Sequence, residues 1–388
     1  MPSVCLYFQA HLPFQLHPYS IFQVGKHESY WDDKRSEKIL NQVADRVYLP
    51  TNKILHEAID AHEGKFQVAF SLSGVLIEQL EKWRPDILES FVRLADTGCV
   101  EFLSETYYHS LSFLESRKEF FRQVILHRDK IWKYFRQDPR IFCHTDLIYH
   151  NHLAYFASQM GYKGLLVEGV ERNLHGRSPN QIYAAAHMQD FCLIPRNYYL
   201  SDDISLRFSD PNWIHYPVNS GTFSDWLSRQ YGKSVHIFLP YETFGEYQSK
   251  ESGILDFLKA LPGEILSREN LDFKTPGELI LEADHKSELY ADDYISWTGA
   301  QKDLSSWQGN ELQREALLKV FEMEATVMEK DDKELIHEWA KLQEANYFRL
   351  MATNGNFPAR SFLQNFSSPH QAYLHFMNMI ADFQLKLR

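Results

Sequence analysis

The chain has 388 residues, enough for two or three domains, and its 44% hydrophobic content is that of a globular protein. A net charge of −12 argues against a nucleic-acid partner or an anionic membrane surface, both of which need a basic face. An uncharged ligand is indifferent to it, and the 27 Phe, 21 Tyr and 8 Trp are numerous enough to stack on sugars or bases as well as to fill a core. Cys5, Cys99, Cys143 and Cys192 are far apart with no Cys-x-x-Cys pair, which reads as reduced, buried thiols in a cytoplasmic protein. The N-terminus has no basic leader and reads as a strand, and no apolar run approaches membrane-spanning length.

In chain order, Val4 to Phe8 is a strand candidate, and helical spacing follows over Ser36 to Ala44 and Asn52 to His62. Phe66 to Phe70 is a second strand, and Ser73 opens a helix that Pro85 interrupts before another runs from Asp86 to Thr97. Val100 to Leu103 is a third strand, followed by a long amphipathic helix from Leu114 to Phe135. Ile141 to Cys143, Gly164 to Glu168, the region of Leu193, and Val235 to Leu239 complete seven strands, with a helix from His152 to Met160 among them. Strands alternating with helices predict a parallel sheet with crossovers, and about seven in this length suggest a barrel or near-barrel. After Pro276 the pattern turns helical: Gly277 to Lys286, Gly309 to Lys330, Lys333 to Thr353 and Ser368 to Leu387. The expected division is therefore a barrel over residues 1–275 and a C-terminal helical region over 276–388 that completes the cleft.

Chemistry concentrates at strand ends. Glu168 follows Gly164-Leu-Leu-Val167, and Gly169 lets the backbone turn at once, so a carboxylate stands at the rim, where it can attack an anomeric carbon or simply cap the next helix. Glu171 lies past the turn and is expected in solvent or paired with Arg172. His11 ends the first strand, where an imidazole can meet a sugar hydroxyl or serve as a satisfied structural group. Glu105 and His109, four apart, would share a helical face. The stretch His144 to His152 carries three His and an Asp, but its spacing matches no zinc framework, so no metal is assigned. Trp297, Asp303 and Trp307 lie in a polar, Gly-containing loop where the rings are candidates for stacking on sugar, with packing between the barrel and the helices as the alternative.

These segments resemble a known family. His11-Leu-Pro13, Glu101 to His109, Val167-Glu-Gly169, Pro240-Tyr-Glu-Thr-Phe-Gly-Glu-Tyr247 and Ser296 to Asn310 look like the five ordered sequence regions of glycoside hydrolase family 57, most of all its α-amylase-like branch. The resemblance implies an incomplete (β/α)7 barrel followed by a helical bundle, α-glucan or maltooligosaccharide substrates, and a retaining mechanism without a metal or cofactor. It places Glu168 as the nucleophile and His11, Glu105, His109, Glu242, Trp297, Asp303 and Trp307 along the substrate.

Three departures from the family pattern matter. Pro240 stands where relatives carry the aspartate that serves as general acid/base, and Tyr247 replaces a His; Leu12 replaces a Gln; and Glu344-Ala-Asn-Tyr-Phe348 replaces a Ser-Asp-His-Phe-Tyr type segment. Proline has no proton to give, and general acid–base help is worth about 10²–10⁴-fold. The expectation is thus an α-amylase-like protein with weak or no hydrolytic activity. The alternatives are an active hydrolase or glucanotransferase with Glu242, Glu246 or His144 as substitute donor, or a non-catalytic assembly or regulatory subunit.

Overall fold

A computed structural model of the protein describes residues 2–283, 286–353 and 366–388. Seven parallel strands form its centre: β1 (Ser3–Ala10), β2 (Val68–Leu72), β3 (Val100–Phe102), β4 (Ile141–Cys143), β5 (Gly164–Glu168), β6 (Met188–Arg196) and β7 (Ser234–Pro240). They lie in two sheets, β3-β2-β1-β7 and β6-β5-β4, each extended by short strands outside the wall. Buried on both faces, the strands read as apolar runs without polar alternation, the pattern expected of a parallel sheet under helices.

The two sheets meet at two seams. At one, Ser104 continues β3 and hydrogen-bonds both ways with β4, its N–H to Ile141 O (3.1 Å) and its carbonyl from Cys143 N (2.8 Å). At the other, Pro195 has no N–H to offer β7, and side chains replace the ladder. The Arg196 Nε donates to Phe238 O (2.9 Å), His236 Nδ1 meets Pro195 O (2.7 Å), and Asn197 N donates to His236 O (2.9 Å). The result is a seven-stranded ring with an incomplete ladder, as the resemblance implies.

Alternation decides which residues face the axis. Cys5, Tyr7, Ala69, Leu103, Cys143, Leu166, Ile194 and Phe238 pack inside as a closed plug. Val4, Leu6, Phe8, Val235, Ile237 and Leu239 face the surrounding helices. One step above the plug, at the C-terminal mouth, the inward positions are Gln9, Glu168, Arg196 and Pro240.

The helices follow the expected places with shifted bounds: Asp33–Val43, Leu49–Ala61, Gly74–Trp83, Pro85–Asp96, Arg117–Phe135 and Asn151–Gln159. Beyond Pro276 the expected helix over Gly277 to Lys286 is Pro276–Leu281, and Asp284 and His285 lie outside the described residues. Two expected long helices are broken: Gly309 to Lys330 into Glu311–Phe321 and Glu324–Lys330, and Lys333 to Thr353 into Lys333–Lys341 and Ala345–Arg349. The second break leaves Glu344 as an N-cap in extended backbone, free to leave the bundle. With Pro369–Lys386, these helices share a separate core, including Leu317, Trp339, Phe348, Phe376 and Phe383, with the N-terminal segment's Phe14, Tyr19 and Trp31. No helix among the described residues is long and apolar enough to cross a membrane.

Candidate active site

Glu168 ends β5, is almost fully buried, and is held from three directions. Its Oε1 accepts from Gly169 N (2.9 Å), and its Oε2 is 3.2 Å from both Arg196 Nη1 and Lys302 Nζ. Arg196 is Glu168's register partner on β6 and also pairs with Asp202 (2.5 Å), so two carboxylates hold its buried charge. Those two carboxylates overcome the burial that disfavours the guanidinium's charge, and its pKa is raised. Gly169 is required here because a Cβ would lie 2.3 Å from Arg196 O.

Pro240 ends β7 beside Gln9 of β1, in the same layer as Glu168. Gln9 is buried, and its Nε2 finds no hydrogen-bond partner among the described residues. A carboxylate at position 240 would face that amide, and the proline ring cannot accept from it.

A second cluster adjoins this mouth. His11 and His109 stack with ring centroids 4.1 Å apart. His11 Nδ1 hydrogen-bonds Ser73 Oγ (2.7 Å) and its Nε2 hydrogen-bonds Glu344 Oε1 (3.0 Å). His109 Nδ1 is 3.2 Å from Glu105 Oε2, and its Nε2 is 4.0 Å from Asp146 Oδ2. The two imidazoles are driven apart electrostatically. Burial, with His109 alongside, lowers the His11 pKa far below its usual value. Burial also disfavours charge on His109, but the Glu105, Asp146 and Glu344 carboxylates overcome it and raise its pKa. Burial pushes the Glu344 carboxyl up to about 7, and its Oε2 has no partner among the described residues. Trp297 links the clusters: Nε1 donates to Asp146 Oδ1 (2.7 Å), and the ring lies 5.5 Å from the Arg196 guanidinium.

Several expected residues fall elsewhere. Glu105 and His109 do pair, but through a turn in which His109 has φ of 49°, not along a helix. Trp307 is fully buried in the C-terminal core, so neither face of its ring is open to a sugar; packing claims it. Asp303 is partly buried, and its Oδ1 accepts from Ser305 N (2.8 Å). His144 is fully buried against Phe113, Phe120 and Phe142, and burial lowers its pKa to about 3, so at neutral pH it is not the imidazolium that a general acid would need. Glu246 lies 3.8 Å from Arg46, toward the helical shell. Glu242 is buried, its Oε1 accepts from Tyr48 OH (2.7 Å), and burial raises its pKa to about 7. Glu171 is exposed, as expected, but is not paired with Arg172: it accepts from Tyr198 and Tyr199, while Arg172 donates to the carbonyls of Gln301 and Lys302.

Sequence reasoning missed Arg196, Lys302 and the approach of Glu344. Arg196 had a signal: it follows the apolar run Leu193-Ile-Pro195, as Glu168 follows its own strand. Lys302 had none.

The pattern that defines "Glycosyl hydrolase family 57" matches residues 5–296, more than half of the chain. A Methanocaldococcus jannaschii protein named "Putative alpha-amylase" is 33% identical over 396 residues, covering 98% of this chain and 84% of that protein. The crystal structure of a branching enzyme of this family from Thermococcus kodakaraensis, in complex with glucose, superposes with a TM-score of 0.69 at 14% identity, over 92% of this chain and 86% of that one. The 4-alpha-glucanotransferase of Thermococcus litoralis superposes with a TM-score of 0.59 at 17% identity over 87% of this chain, which spans only 48% of the length of that enzyme. At those identities the two crystal structures establish likeness of fold.

Proposed function

The chain belongs to glycosyl hydrolase family 57, and from that premise we propose that the barrel mouth is an α-glucan cleft whose Glu168 is the nucleophile of a retaining site that has lost its proton donor. The protein binds maltooligosaccharides and hydrolyses them weakly or not at all. The C-terminal region from about residue 276 completes the cleft, through the Ser296–Lys302 loop and Glu344. The relatives' names, an amylase, a branching enzyme and a glucanotransferase, support an α-glucan as ligand.

The observation that carries this reading is the layer at the mouth. Glu168 ends its strand at the inward rim position, which supports its reading as the nucleophile, while across the ring the Gln9 amide, without a partner among the described residues, stands beside a proline. In a retaining mechanism the second carboxyl protonates the leaving oxygen and later activates water. Without it, attack by Glu168 must expel an unprotonated sugar. Attack by Glu168 must also loosen its ion pairs with Arg196 and Lys302.

Maltosyl fluoride tests this, because fluoride leaves without a proton and azide attacks without a general base. The expected result is turnover of maltosyl fluoride with azide, lost in Glu168→Gln, with maltotetraose bound but barely cleaved. Cleavage of maltotetraose as fast as of maltosyl fluoride would sink the reading and favour a substitute donor. Glu242 is the candidate then, since burial raises its carboxyl to about 7, and Glu242→Gln would abolish the activity. Absence of all sugar binding would leave the assembly or regulatory role.

A further inference from the structure

Next to Glu168, and themselves outside the family's five regions, two tyrosines stand at the start of the helix Tyr198–Ser205. Their rings stack with centroids 4.0 Å apart at an interplanar angle of 31°, and Tyr199 is 54% exposed. Large apolar rings left in solvent beside a reactive carboxylate are an unexplained cost unless something covers them. The Lys302 ammonium joins the two features: it lies 3.2 Å from Glu168 Oε2 and 4.5 Å from the centre of the Tyr198 ring. Carboxylate and ring therefore flank one ammonium group, which ties the tyrosine pair to the nucleophile position.

The platform is built to stay in place. Asn197 caps the helix, accepting from Leu200 N (3.2 Å), and is tied by its amide to Asn180 Oδ1 (2.9 Å). Both phenol hydroxyls donate to Glu171 Oε1, and Arg207 donates to Tyr199 O (2.9 Å). Arg172 fastens the Lys302 loop from the other side through the carbonyls of Gln301 and Lys302. Charge narrows the choice of ligand. Around the rings the cations Arg172, Lys302 and Arg196 stand among the carboxylates Glu168, Glu171 and Asp202, so no net charge is left for an ionic ligand. A neutral, amphipathic partner with an apolar face and hydroxyl edges fits this combination of stacked rings and alternating donors and acceptors.

We propose that Tyr198 and Tyr199 form a sugar-binding subsite that seats the glucose units of an α-glucan next to the one at Glu168, and so set the chain length the cleft prefers. This rests on the α-glucan reading above. The ring faces supply the affinity, and Lys302, with two further N–H groups beyond its bond to Glu168, donates to sugar hydroxyls.

Isothermal calorimetry on the full chain with maltose and maltopentaose tests it. Tyr199→Ala is expected to weaken maltopentaose binding about tenfold while leaving maltose within about twofold of wild type. Tyr199→Phe, which keeps the ring, is expected to bind as wild type does. Because Tyr199 is exposed, both variants should melt with the wild type, which a thermal scan verifies. Unchanged maltopentaose affinity in Tyr199→Ala, equal losses for both sugars, or loss in Tyr199→Phe as well would each overturn the subsite while leaving the α-glucan reading intact. A wild-type chain that binds neither sugar would overturn both.

Discussion

Gln9 and Pro240 are register partners on adjacent parallel strands, both directed into the barrel mouth, and among the described residues the amide of the first has nothing to donate to. On the proposed reading, the pair marks the place of a lost acid more firmly than the proline alone, because it retains a donor suited to a carboxylate. Pro240→Asp is accordingly expected to accept from Gln9 and to raise maltotetraose hydrolysis by about 10²-fold or more. Adding Glu168→Gln should remove the gain, as followed by release of reducing sugar. Unchanged rates in Pro240→Asp would mean that more than a proton donor has been lost.

Arg196 closes the seam between β6 and β7 and neutralises the buried Glu168 and the partly buried Asp202. Arg196→Met leaves Glu168 and Asp202 without that charge, and the expected loss of stability is about 3–5 kcal/mol in urea denaturation. Lys302 is more exposed, and Glu168 keeps Arg196 without it, so Lys302→Ala should cost about 1 kcal/mol or less. Equal costs for the two variants would contradict the unequal roles assigned here.

Burial raises the Glu242 carboxyl to about 7, well above its unfolded value. A carboxyl raised in the folded state binds its proton more tightly there, so it costs stability as pH climbs from the unfolded pKa toward 7, and the cost is constant above that. Glu242→Gln removes the penalty while still accepting from Tyr48. The variant should therefore gain on wild type across about pH 4.5–7, reaching about 3 kcal/mol at pH 8, with no difference near pH 4. Denaturation midpoints at these pH values check it, and a difference that grows on acidification would have the wrong sign.

The two tryptophans of the Ser296–Asn310 stretch should separate cleanly. Trp307→Ala opens the C-terminal core and is expected to cost about 3–5 kcal/mol of stability without changing maltotetraose affinity in molecules that remain folded. Trp297→Ala frees Asp146 Oδ1 and uncovers Arg196, so it should weaken maltotetraose binding. Calorimetry beside thermal melting distinguishes these outcomes, and the reverse pattern would overturn the assignment.

Much of this architecture is legible along the chain. Strands buried on both faces leave short apolar runs, and two of these runs end at an acid followed by Gly169 and at a proline; Glu168 and Pro240 were visible for that reason. Helix breaks were harder. Lys333 to Thr353 keeps helical spacing, yet Glu344 leaves the helix to meet His11, whose partner lies 333 positions away. Local periodicity carries no term for such a contact. Trp307 was misplaced for a related cause: a polar loop on paper becomes a core position once the C-terminal helices fold over it.

By itself, then, the order of residues determined the seven-stranded ring, the rim position of Glu168 and the absence of an ionisable group at 240, because each is written in a few adjacent side chains. Only folding decided that Glu168 is clasped by Arg196 and Lys302, that the His11 pKa is lowered while the His109 pKa is raised, and that a tyrosine pair flanks the mouth. Those outcomes depend on burial and on charges brought together from distant parts of the chain, and both exist only once the elements have packed.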